Sequence, residues 1–329
     1  MHRRHPQPWP ADRPFRILSI DGGGIRGILP AQLLTLVEQE CLGGGRICDH
    51  VEMICGTSTG GIIAAALGLG IPANTILSLY LQEGADIFPA ERAKAWPLAH
   101  KTLKGQIDTP LHDRRPLDEK LAREFDAYSF GDSVARLVIP SFDENIEPNI
   151  WRTDHHPDYK QDWSLPANAP VAATSAAPVY LAGYTGTDRV QWDGGLFANN
   201  PIMMGVVDAL TCYALDRDNV RILSLGCGNA PLALPAAESG LPAWGLKLQK
   251  ATGKLQNQDA IGQAGLLIGR HNIIRIDPDL AVDLPLDGYQ KAAELLPELA
   301  RNAYSSYAGG LAAFFDGDAA PRERHYSTA

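Results

Sequence analysis

Ser58 stands among small residues in Gly56-Thr57-Ser58-Thr59-Gly60, after an apolar run and before a second run rich in Ala and Gly. A serine on a sharp strand-to-helix turn holds its hydroxyl clear of the sheet, where it can attack an acyl carbonyl. The hydroxyl is a weak nucleophile alone, so it needs a base. Asp193 is one candidate, because Asp193-Gly194-Gly195 follows Val190-Gln191-Trp192 at what reads as a strand end; Asp-Gly is also an ordinary turn former. His271 is the other, since Ser58, Asp193 and His271 follow the chain order of a Ser, Asp, His triad. Upstream, Gly22, Gly23 and Gly24 offer backbone amides without Cβ atoms, which can approach a developing alkoxide closely. The run Gly22 to Gly27 also satisfies the G-x-G-x-x-G spacing of dinucleotide sites. That site needs an acidic residue about 20 positions on, at the end of a second strand, whereas Glu38 and Glu40 fall inside the next predicted helix.

These residues must be held by regular elements. Phe15–Ile20 reads as a buried strand and Leu29 to Gln39 as a helix with Pro30 in its first turn, so the glycines connect strand to helix. His50–Cys55 as strand, the Ser58 turn, then Gly61 to Leu69 as helix repeat the unit. Two such units in succession predict a parallel sheet covered by helices. Further on, Leu117 to Phe125 has helical spacing, Ala135–Pro140 reads as a strand, Ala172 to Ala177 as a short helix ended by Pro178, and Val220–Leu225 as another buried strand. After Gly228, residues 230–255 mix Pro, Gly and Trp, Asn272–Ile276 is strand-like, and Leu295 to Phe315 is mostly helical. Residues 1–14 are expected to be a loose leader, 15–228 the core, 229–329 an extension packed on it, and the stretch after Asp316 frayed.

With 329 residues, 45% of them hydrophobic, the chain can build a large core without staples. Five cysteines without a CxxC pair suit a reduced, cytoplasmic protein. A formal charge of −9 argues against a nucleic acid polymer as partner. The apolar stretch Gly61 to Ile71 is too short to span a bilayer. His155 and His156 lack the spacing and the nearby cysteines of a metal site, so they read as loop residues, and Cys227 reads as a packed small side chain.

Asp21-Gly-Gly-Gly-Ile-Arg-Gly27, Gly56-Thr-Ser-Thr-Gly60, Ala173-Thr-Ser-Ala-Ala-Pro178 and Asp193-Gly-Gly with Ala198-Asn-Asn-Pro201, in that order, resemble the patatin-like phospholipases over about Phe15 to Gly228. The resemblance implies a three-layer α/β/α fold with a mainly parallel sheet and a Ser58–Asp193 dyad. It also implies an oxyanion hole from Gly22, Gly23 and Gly24, and supporting roles for Arg26, Gly27, Gly56, Gly60, Gly194 and Gly195. No metal or cofactor is required. The implied substrate is a phospholipid or other lipid ester at a membrane surface, met by peripheral contact. Residues 83–115, with Phe88, Trp96, Lys94, Lys101, Lys104, Arg114 and Arg115, are the expected interfacial segment, a solvated loop being the alternative. The short leader and unmatched extension are similar to those of bacterial patatin-like effectors of antiphage defence activated by cyclic nucleotides. Trp244, Lys247, Lys250 and Arg270 are the candidates for such a ligand, and a homo-oligomer is a further expectation. A non-catalytic lipid-binding or storage protein is the reading outside enzymes.

Overall fold

The computed structural model of the protein describes residues 4–89, 109–237 and 241–327. Strand β1 (Phe15–Ile20) is buried at all six positions, as a strand covered on both faces must be. It pairs in parallel with β2 (Met53–Gly56) on one side and β6 (Val220–Leu225) on the other. The sheet runs β4-β3-β2-β1-β6-β7, with β3 (Arg136–Asp143) and β7 (Ile273–Ile276) also parallel to their inner neighbours. Only β4 (Pro148–Arg152) and β5 (Gln191–Asp193), both antiparallel to β3, break the pattern.

Alternation along the strands feeds two cores. Leu18, Ile20, Ile54, Leu223 and Leu225 pack with α1 (Ile28–Leu36), α2 (Thr59–Gly68), α3 (Ala73–Ile87) and the long α9 (Tyr289–Phe314). Phe15, Ile17, Met53, Cys55, Val220 and Ile222 pack on the other face with α7 (Ile202–Cys212) and α8 (Leu241–Ile268). The result is a three-layer α/β/α fold. Three further helices, α4 (Arg115–Phe125), α5 (Asn168–Thr174) and α6 (Gly195–Ala198), stand on the sheet's β3 side. The chain moves outward from β1 to β3 and returns to the other side of β1 as β6. The carboxyl end of β1 is therefore a topological switch point, where open α/β sheets bind ligands.

Several expectations need correction. The leader is tied down: the Gln7 amide donates to the Cys212 carbonyl, and the Trp9 ring packs on Phe15 and Tyr213 beneath the Arg136 guanidinium. The tail after Asp316 is docked rather than frayed, because Arg322 forms a buried ion pair with Asp154 and the Ala320 amide donates to Glu52. Residues 241–268 form one 28-residue helix, hidden in the sequence by its glycines and its weak apolar stripe. The extension also contributes β7 to the same sheet, so no structural seam follows Gly228.

Candidate active site

Ser58 occupies the turn between β2 and α2 with φ 56° and ψ −124°, a left-handed conformation that a non-glycine residue adopts only at a cost of about 1–3 kcal/mol. Its surroundings impose that conformation. The Ser58 amide donates to Thr174 Oγ1 at 2.9 Å, and the Thr174 hydroxyl donates in turn to the Pro140 carbonyl at 2.6 Å. Gly60 lets α2 start directly against β1, since a Cβ there would lie 2.2 Å from the Ile20 carbonyl oxygen. The serine therefore stands at the carboxyl edge of the sheet, on the N-terminus of α2, whose dipole favours negative charge.

Asp193 ends β5 opposite Ser141 of β3, and its amide donates to the Ala176 carbonyl at 3.0 Å. The carboxylate accepts a hydrogen bond from the Gly195 amide at 2.7 Å, and the Ser58 hydroxyl stands beside it. Burial pushes this carboxyl up from its ordinary value to about 6, and the neighbouring Ser58 hydroxyl and Gly195 amide, which favour the charged form, offset only part of that. A carboxyl of that affinity is a far better proton acceptor than an exposed one, yet stays ionised at neutral pH.

The loop after β1 lies against the serine: a Cβ on Gly22 would sit 3.2 Å from that of Ser58. The Gly22 amide donates to the Asn199 carbonyl at 3.0 Å, so it is committed and corrects the expectation of three glycine donors. Gly23 and Gly24 open the short helical turn Gly24–Gly27, and among the described residues no acceptor takes either amide. Gly24 has φ 57°, and a Cβ there would meet the Leu286 carbonyl at 2.4 Å. Arg26 bonds within its own loop, its Nε donating to the Gly23 carbonyl. The two halves of the site are stitched together, because the Thr57 hydroxyl donates to the Ala198 carbonyl at 2.7 Å.

The model of the patatin-like phospholipase family matches residues 18–206, which contain Ser58, Asp193 and the glycine loop. The chain belongs to that family. It is an α/β hydrolytic enzyme of patatin-like type, similar to a cGAMP-activated phospholipase of Vibrio cholerae at 28% identity over 83% of this chain and 85% of that protein. A cGAMP-activated phospholipase of Pseudomonas aeruginosa is 33% identical over 64% of this chain and 62% of its own length. Among solved structures, VipD from Legionella pneumophila aligns at 13% identity with a TM-score of 0.39, covering 88% of this chain and 67% of that one.

Other sequence candidates lie elsewhere in this patatin-like fold. His271 precedes β7, whose far end, Ile276, pairs with Leu225; the four residues of strand between put it at least about 13 Å from the edge that carries Ser58. It cannot serve as the base. Lys247 and Arg270 stand near opposite ends of α8, roughly 30 Å apart at 1.5 Å per residue, so Trp244, Lys247, Lys250 and Arg270 do not converge on one ligand. Lys250 pairs with Asp283 instead.

His155 lies in a loop after β4, as expected, yet is buried, with Nε2 at 2.7 Å from Asp208 Oδ1 and Cys212 beside the same carboxylate. The ligand atoms of His155, Asp208 and Cys212 lie within 4.8 Å of one another. Despite burial, His155 and Arg152 hold the Asp208 carboxyl well below the usual range, so its charge is already matched inside the protein. Burial pushes the Cys227 thiol far up, in keeping with a packing role under Gly23. In the expected interfacial segment Arg114 is buried and bonds to the Ala172 and Ala182 carbonyls, and Arg115 is exposed. Lys94, Trp96, Lys101 and Lys104 lie outside the described residues.

Sequence reasoning missed Thr174, Asn199, Asn257 and Arg275, which hold the loops. Thr174 and Asn199 fall inside the matched blocks, so block order was a signal for them. For Asn257 and Arg275 there was none.

Proposed function

We propose that this phospholipase cleaves carboxylic ester bonds of phospholipids through a Ser58–Asp193 dyad and an acyl-enzyme. The observation that supports this reading best is the Ser58 hydroxyl standing beside the buried Asp193 carboxylate. As Ser58 Oγ attacks the ester carbon, Asp193 takes its proton, and the amides of Gly23 and Gly24 receive the oxyanion. Collapse expels the lysophospholipid alcohol, protonated by Asp193. A water, giving its proton to Asp193, then attacks the acyl ester, and collapse releases the fatty acid as Asp193 returns that proton to Ser58 Oγ. Ser58→Ala and Asp193→Asn should each lower ester hydrolysis at least about 10³-fold in folded protein, with fluorophosphonate labelling lost in Ser58→Ala. Turnover within tenfold of the parent in either variant would refute the dyad.

The names of the Vibrio and Pseudomonas relatives support activation by a cyclic dinucleotide, in the setting of antiphage defence. Phospholipase assays with and without a cyclic dinucleotide panel test it; equal rates throughout would reject it. Among the described residues no helix is long and apolar enough to cross a membrane. We place the meeting with substrate at a membrane surface by peripheral contact, from the cytoplasm, with residues 83–115 as the segment proposed for it. Shortening that segment should depress activity on vesicles more than on a soluble ester, and equal losses would count against the assignment.

A further inference from the structure

Asp21, the residue immediately before the glycines, is 2% exposed and carries a carboxylate that plays no part in the chemistry above. Its partner comes from the far end of the chain. Arg275 on β7 donates Nη1 to Asp21 Oδ1 at 3.1 Å and Nη2 to Asp21 Oδ2 at 2.7 Å, a two-pronged grip that fixes direction as well as distance. The same guanidinium is itself fixed by the Ser224 hydroxyl at 2.8 Å and by Asp277 at 2.9 Å. Asn257 of α8 donates to Asp21 Oδ2 at 3.3 Å and accepts from the Asn199 side chain at 3.3 Å, while the Asn199 carbonyl takes the Gly22 amide. Leu286 closes the loop from outside, its carbonyl taking the Ile25 amide at 2.8 Å. Three separate parts of the extension thus bear on the loop that carries the free amides of Gly23 and Gly24.

We propose that Arg275, assisted by Asn257, is a positioning residue of the active site: it clamps Asp21 so that the Gly23 and Gly24 amides stay aimed at the position of the oxyanion beside Ser58. The proposal rests on the Ser58–Asp193 reading. Arg275 touches neither substrate nor reacting atoms, so its effect should appear in the transition state and spare ground-state binding. Partners of this kind are typically worth about 10–100-fold in activity.

The test uses the full-length protein and counts competent serines with a fluorophosphonate, so that rates refer to assembled sites. Arg275→Met should lower kcat per titrated serine about 30-fold with KM within about twofold, and Arg275→Lys, which can hold one carboxylate oxygen, should recover part of the loss. Asn257→Ala, which strands no buried charge, should cost about 3–10-fold in kcat by the same argument. Should Arg275→Met fold poorly, the pair Arg275→Met with Asp21→Asn removes the stranded carboxylate; folding should return while kcat stays low. A purely structural role predicts the reverse: kcat per titrated serine equal to the parent in Asn257→Ala and in the double variant, and that result would overturn the proposal. Loss of activity in Ser58→Ala with full activity in the Arg275 and Asn257 variants rejects only the clamp. Full activity in Ser58→Ala rejects the dyad on which it rests.

Discussion

A buried carboxylate poised near pH 6 has consequences for rate and for stability that run in opposite directions. Below about pH 6 Asp193 holds a proton and cannot take one from Ser58, so kcat/KM should climb tenfold per pH unit up to about 6 and level off above it. A profile flat from pH 5 to 8 would exclude Asp193 as the base. For stability, the folded state keeps this proton where an unfolded aspartic acid, at about 3.9, has lost it. The native state therefore binds more protons between about pH 4 and 6, and stability falls as pH rises through that window. With a rise from 3.8 to about 6, the cost at neutral pH is on the order of 3 kcal/mol. Asp193→Asn removes that cost and can still accept from Gly195, so its midpoint should exceed the parent's at pH 7 and approach it at pH 4, as urea melts at both values would reveal. The turns that carry Ser58 and Asp193 were legible in the sequence because each lies in a block of small residues of the kind tight turns use. Arg275 was not, because a single arginine on a short strand has a meaning only through Asp21, 254 positions away.

At the level of elements, the strand-turn-helix unit β2–α2 works because a third segment braces it. Thr174, the last residue of α5, accepts the Ser58 amide and bonds to Pro140 on β3, so one hydroxyl joins helix, strand and elbow. Thr174→Val keeps the shape and removes both bonds. Leaving the buried Ser58 amide without an acceptor should cost about 1–3 kcal/mol of stability and loosen the strained turn. The expected outcome is a lower melting temperature together with a kcat loss exceeding that of a surface control such as Lys250→Ala; stability and kcat both equal to the parent's would contradict this role for Thr174. The same elements explain where sequence reading succeeded. β1, β2 and β6 announce themselves as apolar runs because both faces are covered, whereas β4, with exposed Pro148 at its start, and α8, with glycines along its length, present no comparable pattern.

Across the whole molecule, the C-terminal tail locks the amino edge of the sheet, opposite the active site. Arg16, at the start of β1, donates to the carbonyls of His50, Asp316 and Gly317, and Arg136, at the start of β3, donates to those of Ala320 and Pro321. Arg322 completes the closure on Asp154, with further bonds to the Gly131 and Ser133 carbonyls. Against the cost of burial, the Ser327 and Tyr326 amides and the Arg322 guanidinium hold the Asp154 carboxyl down at about 2. Its contribution is therefore present above about pH 4 and is lost as pH falls through about 2. A tail rich in Asp, Gly and Arg looked loose because composition registers solvation and not the buried partner that a charge will meet. Arg322→Ala leaves Asp154 stranded, and breaking a buried pair in this way typically costs about 3–5 kcal/mol, roughly a 5 °C fall in melting temperature for a chain of this length. The loss should be largest at neutral pH and shrink as pH falls through about 2, where Asp154 takes up its proton in the parent. Because the lock lies at the far edge of the sheet from Ser58, kcat per titrated serine should be unchanged in Arg322→Ala at temperatures where it is folded. A shift under 1 °C at pH 7 would mean the tail only rests on the surface, and a fall in kcat without one would mean that the two edges of the sheet communicate.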